Sequence, residues 1–241
     1  MYWKLNTVMK VKLFLVLLVV LIFWSSFRVY YSNKPAPLTR IEIADDGSST
    51  VVTLLPVLVE VYYEALCPDS RSFLLTELLP TYEKIPKAMN VQLIPYGKAK
   101  TSTSGNSFKF ECQHGPQECL ANKVHACGLN LIQNVDTQVQ YATCMINDNW
   151  NAEEAGSSCA KKYGLDWDSI WKCAKGNQGS KLLSLYGKKT DKLGGIDFVP
   201  TIALQGSTDK QPAILKNLFK EICALYKDEK PESCSKLSGS S

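Results

Sequence analysis

The 241-residue chain has no two cysteines at C-x2–4-C spacing, only two histidines and no H-x3–5-H pair. Zinc sites are built on such spacings, so no metal is expected, and no motif calls for a cofactor. A cysteine–histidine protease is equally disfavoured, because neither His114 nor His125 stands in a recognisable partner pattern. His125 reads as a solvated helix residue. No N-x-[ST] sequon occurs, so an N-linked glycan has no acceptor. Internal repeats are absent, and so is a basic stripe. Residues 1–40 hold six basic residues and no acid; set against a net charge of +4 for the whole chain, the remainder carries −2. A near-neutral body lacks the electrostatic footprint of a nucleic-acid binder.

What is present begins with an apolar run. Leu13 to Trp24 (LFLVLLVVLIFW) is unbroken, the uncharged stretch continues to Phe27, and lysines precede it. Nothing polar marks a solvent face, which excludes an ordinary core helix and fits the n- and h-regions of a translocation signal. No small-x-small site follows, since Trp24 and Tyr30 occupy the −3 position for cleavage after Ser26 and Ser32. As a helix, residues 13–27 would span about 22 Å, short of a ~30 Å hydrocarbon core. Arg28 could snorkel, and Tyr30 and Tyr31 could sit at an interface. Residues 1–31 therefore read equally as signal peptide or signal anchor, with 13–27 the candidate membrane anchor. In either case the body enters the secretory pathway. Residues 32–54, polar with Pro and Gly, read as a linker or pro-segment, and 231–241 as a C-terminal tail.

Behind a translocation signal, nine cysteines suggest disulfides rather than metal clusters. The count is odd. Eight can pair as four bridges, in 105 ways, and one thiol is left over.

Within the body, 55–230, Val57 to Leu66 (VLVEVYYEAL) reads as a buried strand bounded by Pro56. Cys67-Pro68-Asp69-Ser70 follows, then a helix from Arg71 to Tyr82 that Pro80 should kink or end. Val91 to Pro95 is a second strand, so the domain opens as a βαβ unit. A middle section of about 98–193 holds six of the nine cysteines and helical patterns such as Ala152–Tyr163 and Ile170–Tyr186. Phe198 to Leu204 closes the sheet, and a last helix covers Gln211 to Tyr226. The fold class is α/β with a long, cysteine-rich helical insertion.

Cys67 lies where a buried strand hands over to a helix. Unpaired backbone N–H groups at a helix start favour a thiolate, and Pro68 suits a first turn that needs no donor there. Ser70, three residues on, can turn its hydroxyl back towards the sulfur, although a serine at this position also caps helices. Asp69 opposes the thiolate by like charge. Pro200 is the second element: an X–Pro bond ahead of a buried strand is a candidate for the cis form. Cys67, Ser70 and Pro200 are the candidate catalytic residues.

The segment from Cys112 to Cys127 resembles the C-Q-H-G-x-x-E-C-x-x-N-x-x-x-x-C signature of the gamma-interferon-inducible lysosomal thiol reductase (GILT) family. Cys112, Gln113, His114, Gly115, Glu118, Cys119, Asn122 and Cys127 all match. The resemblance covers roughly 55–230 and implies a thioredoxin-like sheet with a helical insertion, in which Pro200 sits beside the reactive cysteine. It implies reduction of protein disulfides in lysosomes or endosomes, with Cys67 as attacking thiol, the signature cysteines as structural half-cystines, and Gln113, His114, Glu118 and Asn122 bracing that turn. The family pattern is C-x-x-C, and here Ser70 replaces the second cysteine. Protein disulfides and a small thiol such as glutathione or cysteine are then the expected partners. A binding or scaffold protein that keeps the fold without turnover is the alternative. Extracellular release or membrane anchoring stays open beside a lysosomal address.

Overall fold

The computed structural model describes residues 15–21, 23–24, 41–43, 51–105, 107–227 and 229–235, and the chain divides into two units, Met1–Pro37 and Leu38–Ser241. In the first unit, residues 15–21 and 23–24 are helical, with the apolar side chains of Leu15–Leu21, Phe23 and Trp24 exposed. No helix among the described residues is long and apolar enough to cross a membrane. The rest of the candidate anchor at 13–27, most of the 32–54 linker and 236–241 of the tail lie outside the described residues. Within the linker, β1 (Ile41–Ile43) pairs antiparallel with β2 (Val51–Thr53).

The second unit is built on β3 (Val57–Tyr63), which runs parallel to β4 (Met89–Pro95) and antiparallel to β7 (Thr201–Leu204), in the order β4-β3-β7. Side chains alternate across the strands as the pleat requires. Val57, Val59, Val61 and Tyr63 join Met89, Val91, Ile202 and Leu204 on one face, against Phe73, Leu74 and Leu78. Tyr62, Ile94 and Ala203 turn to the other, where Leu183 covers them. A strand buried on both faces needs the near-continuous apolar run that Val57 to Tyr63 provides.

The strand stops at Tyr63, three residues earlier than expected, and Glu64–Leu66 form a turn closed by the Cys67 N–H on the Glu64 carbonyl at 3.3 Å. Helix α1 (Pro68–Phe73) passes through a π-helical stretch (Leu74–Leu78) into α2 (Leu79–Lys84). Pro80 does not end it: the wider turn just ahead, with the Leu79 N–H on the Leu74 carbonyl, accommodates the missing donor.

The insertion opens with a hairpin that the sequence reading did not anticipate, β5 (Lys100–Ser104) and β6 (Ser107–Glu111). Five helices follow: α3 (Pro116–Leu131), α4 (Val135–Asn147), α5 (Ala152–Lys162), α6 (Trp167–Lys175) and α7 (Asn177–Lys192). The single helix expected over Ile170–Tyr186 is two, because Gly176 adopts an extended conformation between them. Likewise Gln211–Tyr226 divides into α8 (Gln211–Lys216) and α9 (Leu218–Leu225), where Asn217 leaves the helix and caps the Lys220 N–H. A short α10 (Glu232–Ser235) ends the described chain. Four disulfides staple the body: Cys112–Cys119 at the entry to α3, Cys127–Cys173 between α3 and α6, Cys144–Cys159 between α4 and α5, and Cys223–Cys234 between α9 and α10.

Candidate active site

Cys67 is the one cysteine outside a bridge, and the residue is 5% exposed. It caps α1, its Sγ accepting the Ser70 N–H at 3.5 Å, with Pro68 at the first helical position. The bond from Ser70 to sulfur comes from its amide. The fully buried Ser70 hydroxyl oxygen accepts the Glu64 N–H at 3.3 Å instead, so this side chain ties the helix start to the end of β3. The Val199–Pro200 bond is cis. Thr201 pairs with Tyr62, which brings Pro200 to the end of the sheet from which the Cys67 turn departs.

Tyr63, Glu64 and Ala65, which lead to Cys67, are held from α3 and from His114 just ahead of it. Glu118, Asn122 and His125 stand at i, i+4 and i+7, on one helix face. Asn122 Oδ1 accepts the Ala65 N–H at 2.9 Å, and from the α4–α5 loop Asn149 Nδ2 donates to the Ala65 carbonyl at 3.1 Å. Both backbone polar groups of Ala65 are thereby satisfied by side chains of the insertion. His125 is not solvated: it is buried, and its Nδ1 meets the Tyr63 hydroxyl at 2.8 Å. Burial pushes its imidazole down to about 3. The expected surface residue is a core one because its helix face packs on the strand that precedes Cys67.

Glu118 acts through His114. The His114 N–H donates to Glu118 Oε1 at 3.1 Å, and His114 Nδ1 lies 2.5 Å from Glu118 Oε2 and 3.5 Å from Glu64 Oε2. Glu64 Oε1 accepts the Lys98 N–H at 2.7 Å. Burial raises the Glu64 carboxyl above its ordinary range, an effect that the Lys98 amide opposes. Gly97 is required beside it: at φ +58° an added Cβ would fall 2.2 Å from Glu64 Cγ. Gln113 is exposed.

Glu64, Asn149 and Gly97 escaped the sequence reading. An acid inside the apolar run VLVEVYYEAL was the available signal for Glu64. Asn149, in a short polar loop, offered none.

The family model described as gamma interferon inducible lysosomal thiol reductase (GILT) matches residues 58–163, from β3 through α5. A curated relative of that designation from Carassius auratus is 36% identical over 184 residues, covering 74% of this chain and 72% of its own. One from Mus musculus is 32% identical, covering 77% of this chain and 74% of its own. Among solved structures, oxidised BdbD from Bacillus subtilis superposes with a TM-score of 0.53 at 14% identity, covering 71% of this chain and 88% of that one. At that identity the likeness concerns the fold alone.

Proposed function

Because the chain belongs to the gamma-interferon-inducible lysosomal thiol reductase family, a family of thiol–disulfide oxidoreductases, we propose that it acts on protein disulfides through a single nucleophilic sulfur, that of Cys67. The observation that carries this reading is the cysteine inventory. Eight of nine cysteines are consumed in bridges, and the ninth caps the helix that follows the central strand.

The chemistry is thiol–disulfide exchange. The Cys67 thiolate attacks one sulfur of a substrate disulfide, the S–S bond breaks, and the other substrate sulfur leaves as a thiolate. A mixed disulfide on Cys67 remains. In a C-x-x-C site the second cysteine would expel the substrate; Ser70 has no sulfur to do so. Release therefore falls to another thiol. A second cysteine of the substrate closes a new pair and regenerates Cys67, which is isomerisation. Alternatively, two small thiols such as glutathione or cysteine discharge the adduct in turn, and the substrate is reduced as the small thiol becomes its disulfide. In this reading Pro200, which leads into β7 at the end of the sheet where the Cys67 turn departs, borders the reacting sulfur, and Ser70 holds the helix start.

The fitting compartment is the lumen of the secretory and endolysosomal pathway. Four disulfides persist in oxidising surroundings, and relatives from goldfish and mouse carry a lysosomal designation. Carbonate extraction separates a form anchored through residues 13–27 from a released one.

The test is to react the full chain with a model disulfide at acidic and neutral pH, beside Cys67→Ala and Ser70→Cys. A Cys67-dependent adduct that glutathione discharges, with faster turnover in Ser70→Cys, is the expected result. An adduct that accumulates and is never discharged, or no adduct with Ser70→Cys also inactive, leaves a disulfide-stapled binding or scaffold protein.

A further inference from the structure

The strongest feature outside the thiol chemistry is the meeting of Glu64, His114 and Glu118. Three ligand-capable atoms, Glu64 Oε2, His114 Nδ1 and Glu118 Oε2, lie within 4.8 Å of one another. Both glutamates are fully buried, and His114 keeps 33% of its side chain exposed. Each carboxylate is oriented in the same manner. One oxygen is held by a backbone amide, Glu64 Oε1 by Lys98 at 2.7 Å and Glu118 Oε1 by His114 at 3.1 Å, and the other turns to the shared imidazole nitrogen. Glu64 Oε2 is buried with no hydrogen-bond partner. A buried carboxylate oxygen aimed into a polar cluster without a donor costs free energy unless a proton or cation meets it.

We infer that Glu64, His114 and Glu118 form a binding site for a divalent transition-metal cation of the Zn2+ type. Two carboxylate oxygens and one imidazole nitrogen suit Zn2+ or Mn2+, and the absence of thiolate or thioether disfavours Cu(I). Three protein ligands leave a fourth position, and the exposed edge of His114 is where water and the incoming ion reach it. The amides of Lys98 and His114 supply the outer hydrogen bonds that orient ligating carboxylates. A cation there displaces the proton between His114 and Glu118 and meets the unpartnered oxygen of Glu64. Spacing within the sequence could not reveal the site, since Glu64 comes from the end of β3 and the other two from the start of the insertion. The inference does not depend on whether Cys67 turns over.

The experiment is equilibrium dialysis of the disulfide-intact full chain against Zn2+, in a Cys67→Ser background that removes the free thiol as a competing ligand. One Zn2+ per chain is expected at about pH 7, with affinity about tenfold or more lower at about pH 5, where protons compete for the ligands. Glu64→Gln, which keeps the acceptor for the Lys98 amide, and His114→Gln should each weaken binding about tenfold or more. Thermal melts of both variants check that they fold, and the half-exposed His114→Gln carries the test if Glu64→Gln does not. Sub-stoichiometric binding by the parent, or binding unchanged in the folded variants, overturns the site and leaves a cluster that shares protons only.

Discussion

The sheet and the helical insertion are held by different means. The core around β4-β3-β7 is made of large side chains: of its twenty-three buried residues two are alanine and none is cysteine. In the insertion core five of thirteen are alanine and three are half-cystines. Small residues remove little apolar area from water, but they let helices approach. Gly128 of α3 lies under the Tyr141 ring of α4, and Gly156 of α5 under Trp167 of α6. Close, small-residue packing with bridges replaces the bulk that the sheet obtains from valine, leucine and isoleucine. The turn that delivers Cys67 lies where the two regimes meet, on a strand of the first and clamped by side chains of the second.

The contrast can be broken by removing its staples. Replacing Cys127 and Cys173 together by alanine opens a bridge of sequence separation 46 and should cost about 4 kcal/mol, against about 3 kcal/mol for Cys144 and Cys159 at separation 15. Urea midpoints read both, and losses under about 1 kcal/mol for each pair would mean that the insertion does not rely on its cross-links. Gly128→Ala probes the approach itself. The new Cβ would lie 2.3 Å from a ring carbon of the buried Tyr141, so a loss of about 1–3 kcal/mol is expected; a neutral outcome would show slack between α3 and α4.

Acid sharpens the comparison at the seam. The unfolded chain protonates His125 near its ordinary value of about 6.5, whereas the folded chain does so only at about 3. Between those values the unfolded state binds more protons, so this residue's contribution to stability falls as pH falls. Going from about pH 7 to about pH 5 it should remove about 2 kcal/mol, and His125→Gln should flatten that part of the profile. A wild-type dependence retained in the variant would assign the loss to other groups. The smallest effect is expected at Asn149. Asn149→Ala frees the Ala65 carbonyl, costs about 1 kcal/mol and slows alkylation of Cys67, while Asn149→Gln restores part of the rate. An unchanged alkylation rate would remove Asn149 from the support of Cys67.

How much of this was legible in the sequence follows the range of each interaction. Strands β3 and β4 and the position of Cys67 are written in local pattern, an apolar run followed by Cys-Pro. So are most insertion helices and the C-terminal helical stretch, apart from their stops: Gly176 and Asn217 act through backbone conformation that the apolar period does not report. The hairpin β5–β6 is rich in serine and threonine, with Phe108 and Phe110 its only large apolar side chains, and its turn signal at Gly105-Asn106 is short. His125 and Glu64 escape local pattern for one reason: their environments are set by partners far along the chain, Lys98 34 residues from Glu64 and Tyr63 62 residues from His125. The signature, from Cys112 to Cys127, indicated a structured segment but not that its side chains reach across to Tyr63, Glu64 and Ala65.

The burial of Cys67 carries a consequence of approach. Exchange at sulfur needs the incoming sulfur, the attacked sulfur and the departing one nearly in line. A sulfur on a residue only 5% exposed leaves a narrow cone for that line. A disulfide recessed in a rigid, folded neighbour cannot enter the cone; one carried on a loosened, protruding loop can. Under the proposed exchange, the shape around one atom would thus select partners by how far they have already come apart.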